Sequence, residues 1–308
     1  MTNTKTDYDV VIIGGGPAGL TASVYTTRSN LKTVFIEKKV PGGKLPFQSK
    51  IENWPGETMI TGAELATKMF SQTQANGAEF VFGNVVKINN VEDFYKEVIL
   101  EDGQILKTKT IIVASGMLNR IPKDIKGIEE FDGKGVSYCA ICDGPQYKGH
   151  PIAIIGGGNS AIEEGAFVAS FASKVYVFVR DKIIAEQKLV DELKAKSNVE
   201  ILMNSQILEI IPNEEGVVGK VKAFVEGEEK EIQVSGVFPY IGFIPATDFL
   251  KDFEGVLAPN GFVITDENME TKIKNVYAVG DVRIKDIRQI TTAVGDGTIA
   301  AKHITNKL

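Results

Sequence analysis

The sequence predicts an α/β protein made of two similar three-layer units, the second inserted into the first. Three observations predict it. A glycine-rich turn, Gly14-Gly15-Gly16-Pro17-Ala18-Gly19, joins a short β-type run to a helical apolar pattern. A second turn, Gly156-Gly157-Gly158-Asn159-Ser160-Ala161, does the same in mid-chain, so residues 9–37 and 152–181 read as two copies of one βαβ opening. The second series then breaks at Ile241-Gly242-Phe243-Ile244-Pro245, after which the tail returns to a strand and a helix. That interruption places residues 1–117 and 247–308 in one discontinuous domain and 118–246 in the other. Both openings are Rossmann-like.

The elements follow in order. Residues 9–13 form a strand, 18–29 a helix and 33–37 a strand that ends on an acid. Residues 38–62 are loop-like, with Pro41-Gly42-Gly43 and Pro55-Gly56 as breakers. A helix covers 62–76, and β-type runs follow at 79–82, 85–88, 97–100 and 110–114. Residues 122–135 are a connector. The second series has strands at 152–155, 174–179 and 199–203, with helices at 160–172 and 187–196. More β structure is expected at 208–211, 220–225 and, as one run, 231–240. The tail gives a strand at 276–279 and a final helix over about 288–306.

Composition narrows the function. The chain has 308 residues and net charge −6, with ordinary apolar and charged fractions for a globular protein. No basic run points to nucleic acid. No apolar stretch approaches the ~18–20 residues of a membrane span. Residues 1–8 are polar and match neither a signal nor a transit peptide, so a cytoplasmic location is expected.

The glycines carry backbone chemistry. Gly14 permits the strand-to-helix turn, Gly16 lets a pyrophosphate touch the main chain, and Gly19 lets the helix pack close. The helix N-terminus presents donors and partial positive charge to the phosphates. Glu37, closing the second strand, can accept from a ribose hydroxyl. An N-terminal copy in a two-copy chain points to FAD. Tyr277-Ala278-Val279-Gly280-Asp281 supports this: Asp281 can accept from ribityl hydroxyls, and the helix beginning at Arg288-Gln289-Ile290 can face the flavin pyrimidine. The second copy, with Gly156, Gly158, Asn159, Ser160 and Ala161, suits a nicotinamide dinucleotide. The position matching Glu37 is Val179, followed by Arg180-Asp181-Lys182. Arg180 can stack on adenine or hold a 2′-phosphate, whereas Asp181 repels one.

Only two cysteines are present, in Cys139-Ala140-Ile141-Cys142-Asp143-Gly144. A close pair in a reducing compartment reads as catalytic or metal-binding. A zinc site lacks ligands, because there are no further cysteines and only two histidines. Two inert buried thiols would be the bland explanation. A redox dithiol would work by thiolate exchange through a mixed disulfide. Asp143 is placed to move a proton at the sulfurs, or else simply to shape the turn.

Taken together, these residues resemble the bacterial low-molecular-weight thioredoxin reductases, over essentially the whole chain. The resemblance is carried by the two glycine turns, Pro41-Gly42-Gly43, Glu52-Asn53-Trp54-Pro55-Gly56, Ala114-Ser115-Gly116, the Cys139 to Gly144 element, Gly280-Asp281, Arg288-Gln289 and Gly295-Asp296-Gly297. It implies that NADPH or NADH reduces FAD, that the flavin reduces the Cys139–Cys142 disulfide, and that the dithiol reduces thioredoxin. It also implies that Cys142 faces flavin, that Cys139 attacks thioredoxin, and that Asp143 is the acid/base. Gly43, Lys44, Asn53 and Ile290 would join the FAD site. The resemblance further implies a homodimer and domain rotation through linkers near 117–123 and 242–247.

Three positions depart from the family. Its basic motif at the second strand end is reduced here to Arg180, with Val179, Asp181 and Ala185 at the other positions. That opens the choice between NADPH and NADH and keeps a ferredoxin-dependent flavin thioredoxin reductase in view. Lys44 replaces a glutamine beside flavin, and Pro145-Gln146 replaces an aromatic pair. The same fold also suits a flavin-dependent dithiol oxidase, or a redox sensor without turnover.

Overall fold

A computed structural model describes residues 5–48 and 51–308; the first four residues of the polar leader lie outside the described residues. Contacts divide the chain into two compact units, Met1–Leu118 with Ile244–Leu308, and Asn119–Phe243.

The first unit opens with β1 (Tyr8–Ile13), α1 (Pro17–Arg28) and β2 (Thr33–Glu37). It continues through α2 (Gly62–Ala75), β3 (Glu79–Phe82), β4 (Val85–Glu92), β5 (Tyr95–Leu100) and β6 (Ile105–Val113). The chain leaves by β7 (Met117–Asn119). The second unit contains α3 (Ala140–Asp143), β8 (Pro151–Ile155), α4 (Asn159–Val168), β9 (Lys174–Val179), α5 (Gln187–Lys194) and β10 (Val199–Met203). There follow β11 (Ser205–Pro212), β12 (Val218–Val225), β13 (Glu228–Gln233) and β14 (Gly236–Pro239). The chain returns by β15 (Phe243–Pro245), which pairs with β7, and closes with β16 (Val276–Ala278) and α6 (Ile290–Lys307).

In the first unit the sheet runs β3-β2-β1-β6-β5-β4, and β16 also pairs with β6. The long β6 serves two neighbours on one edge: residues 105–108 face β5 antiparallel, and residues 111–113 face β16 in parallel. Strand alternation sorts the core. Val10, Ile12, Phe35 and Ile112 pack with Leu20, Ala293, Ala300 and Ile304 of α1 and α6. Val11, Ile13, Val34 and Val113 pack on the opposite face with Leu250, Val256 and Val263. Small residues let the two helices approach: a Cβ on Gly297 would lie 2.4 Å from the Ala18 carbonyl oxygen.

The second unit repeats the plan. Its parallel sheet, β10-β9-β8-β14, carries α4 and α5 on one face through Ile152, Ile154, Val175 and Val177. The antiparallel sheet β11-β12-β13 covers the other face, meeting Ala153, Ile155 and Phe178. The α/β class and the paired Rossmann-like architecture agree with the sequence reading.

Several strands run longer than expected, among them β4, β6 and β11, and three further elements differ for a visible reason. The run 231–240 is two strands in two sheets, because Val234-Ser235 turns the chain and the Ser235 N–H bonds the Pro151 carbonyl. The helix expected over 160–172 ends at Val168. Asn198 Nδ2 donates to the carbonyls of Ala169 and Ala172, and tight turns close the segment. The last helix begins at Ile290, with Gln289 as a cap that exchanges bonds with Thr292. Among the described residues no helix is long and apolar enough to cross a membrane.

Candidate active site

In the first unit, the turn after β1 is shaped for glycine. Gly14 has φ +109°, and a Cβ there would sit 2.3 Å from the Ala114 carbonyl oxygen. A Cβ on Gly19 would lie 2.0 Å from the Gly14 oxygen, so α1 is seated directly on the turn. Gly16 caps α1 without a side-chain hydrogen bond, and the first turn contains no acid. Gly43 lies against it: a Cβ on Gly43 would be 3.0 Å from Gly16 Cα. The neighbouring Gly42 N–H donates to the Gly15 carbonyl at 2.7 Å. Glu37 accepts from the Gly15 N–H at 2.9 Å and the Lys39 N–H at 3.0 Å, which fixes the strand-end acid beside the turn.

Distant segments reach the same region. Asn53 Nδ2 donates to Gln289 Oε1 at 3.0 Å, joining the loop before α2 to the cap of α6. Gly280, with φ +76°, approaches Ala18, and its N–H donates to Asp296 at 3.0 Å. Arg288 lies over the Phe262 ring at 4.4 Å and reaches the Asp281 carbonyl. Ile290 is the first residue of α6. Burial pushes the Lys44 ammonium down to about 8, against the pull of Asp281. Burial likewise raises the Asp281 carboxyl, although Lys285, Lys44 and Arg288 oppose it.

This set fits FAD. A side chain on Gly43 would crowd Gly16, and the uncapped α1 N-terminus offers donors for a pyrophosphate. Glu37 and Asp281 bring carboxyl groups that could accept from sugar hydroxyls.

In the second unit, Gly156 has φ +137°, and a Cβ there would be 2.3 Å from the Tyr240 carbonyl oxygen. Gly158 caps α4 without a side-chain bond, and a Cβ there would meet nothing within 4 Å. Ala161 sits under the turn, close to Gly156. Asn159 and Glu186 exchange hydrogen bonds of 3.1 and 2.9 Å, tying the start of α4, where Ser160 lies, to the loop after β9. This turn fits a second dinucleotide pyrophosphate because the start of α4, uncapped by any side chain, offers backbone donors. Arg180 pairs with Asp181 at 3.1 Å, and both side chains are exposed. Val179, at the position of the missing acid, is buried.

The cysteines form a disulfide with Cα atoms 5.4 Å apart. Cys139 caps α3, and its sulfur accepts from the Cys142 N–H at 3.2 Å. Asp143 follows at the end of the same turn, its N–H donating to the Cys139 carbonyl at 3.1 Å. Among the described residues no cluster of histidine, cysteine or acid could hold a metal.

Two neighbours of the dithiol, Ser137 and Tyr240, and a residue beside Tyr240, Glu164, escaped the sequence reading. The Ser137 hydroxyl donates to Asp143 Oδ2 at 2.5 Å. The Tyr240 hydroxyl accepts the Ala140 N–H at 3.1 Å, and the same residue's N–H donates to the Ile155 carbonyl. Tyr240 thus touches both the dithiol turn and the glycine turn. Glu164, on α4, keeps a buried carboxylate oxygen without a hydrogen-bond partner, and burial pushes its carboxyl up to about 7. Burial, with Glu164 second, holds the Tyr240 phenol protonated. Only the tertiary fold brings Tyr240 and Glu164 here, so local patterns carried no signal for them, whereas the hydroxyl partners of Ser137 are local.

Comparison with known proteins gives the chain's relatives. The family model described as pyridine nucleotide-disulphide oxidoreductase matches residues 8–297. The thioredoxin reductase of Mycoplasmopsis pulmonis is 53% identical over 304 residues, covering 98% of this chain and 97% of its own. That of Bacillus subtilis is 41% identical, covering 96% and 93%. The crystal structure of Lactococcus lactis thioredoxin reductase superposes with a TM-score of 0.92 at 40% identity, covering 98% of this chain and all of the other.

Proposed function

Because this chain belongs to the pyridine nucleotide-disulphide oxidoreductase family, we propose that it is a thioredoxin-disulfide reductase. It uses FAD and a nicotinamide dinucleotide, NADPH or NADH. The observation that carries the reading is the Cys139–Cys142 disulfide, with Asp143 beside it, in the unit that also bears the second dinucleotide turn. Bound FAD supplies the transfer of an electron pair from the nicotinamide to the disulfide.

The chain's own residues do the rest. In the domain formed by both ends of the chain, Gly14, Gly16, Gly19 and Gly43 give the flavin pyrophosphate close backbone contact. Glu37 takes the adenosine ribose. Asp281, following Gly280, takes the ribityl chain, while Asn53, Lys44, Arg288, Gln289 and Ile290 border the ring system. In the inserted domain, Gly156, Gly158, Asn159, Ser160 and Ala161 hold the nicotinamide nucleotide, with Arg180 at its adenosine end.

At the dithiol, Cys139 attacks one sulfur of the thioredoxin disulfide; that S–S bond breaks as the mixed disulfide forms, and the other thioredoxin sulfur leaves with the Cys139 proton. Asp143 takes the Cys142 proton, Cys142 displaces thioredoxin from Cys139, and the proton passes to the departing thiolate. The protein acts as a cytoplasmic homodimer. Full-length relatives named thioredoxin reductase, together with the intact second turn, favour this reading over a ferredoxin-fed reductase or a dithiol oxidase.

Anaerobic titration of flavin absorbance with NADPH and NADH in parallel, followed by addition of thioredoxin, tests the reading. Bleaching by at least one nucleotide and reoxidation by thioredoxin are expected. Cys139→Ser and Cys142→Ser should keep the bleaching and lose turnover with thioredoxin. A colourless protein that takes up no FAD, or full turnover in either variant, overturns it.

A further inference from the structure

The dithiol turn hangs from the rest of its unit by two hydroxyls. Tyr240 holds the Ala140 N–H. Ser137, only 6% exposed, is anchored by its own N–H to the Val237 carbonyl of β14 at 3.0 Å. Its Oγ accepts the Cys139 N–H at 3.1 Å and donates to Asp143 Oδ2 at 2.5 Å. The same hydroxyl lies 3.4 Å from the Cys139 carbonyl, a poorer acceptor than the carboxylate. One buried side chain therefore joins the backbone of one cysteine to the carboxylate of Asp143.

We propose that Ser137 is a positioning residue of thiol–disulfide exchange, holding Asp143 Oδ2 so that Oδ1 takes and returns the thiol proton. The proposal rests on the reading of Cys139, Cys142 and Asp143 given above. In the step concerned, the Cys142 S–H gives its proton to Asp143. Its sulfur then bonds to Cys139 Sγ as the Cys139–thioredoxin S–S bond breaks. The electron pair leaves with the thioredoxin sulfur, which receives the proton from Asp143. No external oxidant or reductant enters. A carboxylate free to rotate meets the thiol in fewer productive orientations, so the hydroxyl contributes through geometry. A merely structural serine would close the turn without coupling to Asp143.

The test uses FAD-loaded, anaerobically reduced protein, with oxidised thioredoxin added in a single turnover. Wild type is compared with Ser137→Ala, Ser137→Gly, Ser137→Thr, Asp143→Asn and Ser137→Ala/Asp143→Asn. Removal of the hydroxyl is expected to slow exchange about tenfold, with the dependence of the rate on thioredoxin concentration little changed. Threonine should recover most of the rate. In the Asp143→Asn background the serine change should add little. Either of two results overturns the proposal: wild-type exchange in both hydroxyl-free variants, or an equal slowing by Ser137→Ala whether or not Asp143 is present. If alanine prevents folding, the glycine and threonine variants decide. If wild type itself passes no electrons to thioredoxin, the reading of the site fails and the proposal falls with it.

Discussion

Lys44 shows how much one residue's surroundings decide. In the sequence it is an ordinary cation after two glycines. In the folded unit its ammonium is buried near Asp281, and its proton is released at about 8 rather than at 10.5. The unfolded chain keeps that proton to higher pH. Between those values the unfolded state binds more protons, so this group makes stability rise with pH. Below about 8 both states are protonated, and its destabilising effect is full and constant. Urea unfolding between pH 7.5 and 10.5 should show a positive slope that is reduced in Lys44→Met. Lys96, also lowered to about 8 by burial, retains its own share in that variant. At this scale, the glycines and cysteines were legible because backbone sterics and sulfur chemistry belong to the residue itself. Tyr240 was not, because its partner Ala140 is remote in sequence; Ser137, two residues before Cys139, was within reach of a local reading that passed over it.

At the scale of elements, strands were legible where burial produced nearly unbroken apolar runs, as in β2, β8 and β9. Helix ends were not legible where a remote side chain set them. Asn198 takes the carbonyls that would have continued α4, and nothing in residues 160–172 announces it. The end of β9 bears on cofactor choice. Arg180 is engaged by Asp181, and a buried valine precedes it. An exposed pair of this kind is worth little in stability, but its acid is a poor neighbour for a phosphate dianion. Flavin reduction by NADPH should therefore be weaker than a fully basic pocket would give. Asp181→Arg combined with Ala185→Arg should lower the NADPH KM with little effect on NADH. Steady-state kinetics with both donors would check this, and an unchanged ratio would place 2′-phosphate recognition elsewhere.

Over the whole molecule, each unit has its own core and its own dinucleotide turn. A ligand that binds only one folded unit raises that unit's stability by mass action. Calorimetry should thus resolve two transitions, one raised by FAD and the other by the nicotinamide nucleotide. A single transition raised equally by both would mean that the units unfold as one. The repeat of the βαβ opening made the pair of units legible in the sequence. The division of β6 between β5 and β16 was invisible there, because it joins residues far apart in the chain.

That division has a consequence for synthesis. The ribosome releases the entire insert before it makes β16 and α6, so the middle of the protein is able to mature while its host is still missing a strand and a helix. Gly280, Asp281 and the α6 cap emerge last, and α1 must wait for Gly297 to be laid against it. With the FAD site proposed for these residues, prosthetic-group capture is deferred until translation is nearly finished, and a truncated product would carry a sound insert beside a host unable to hold its flavin.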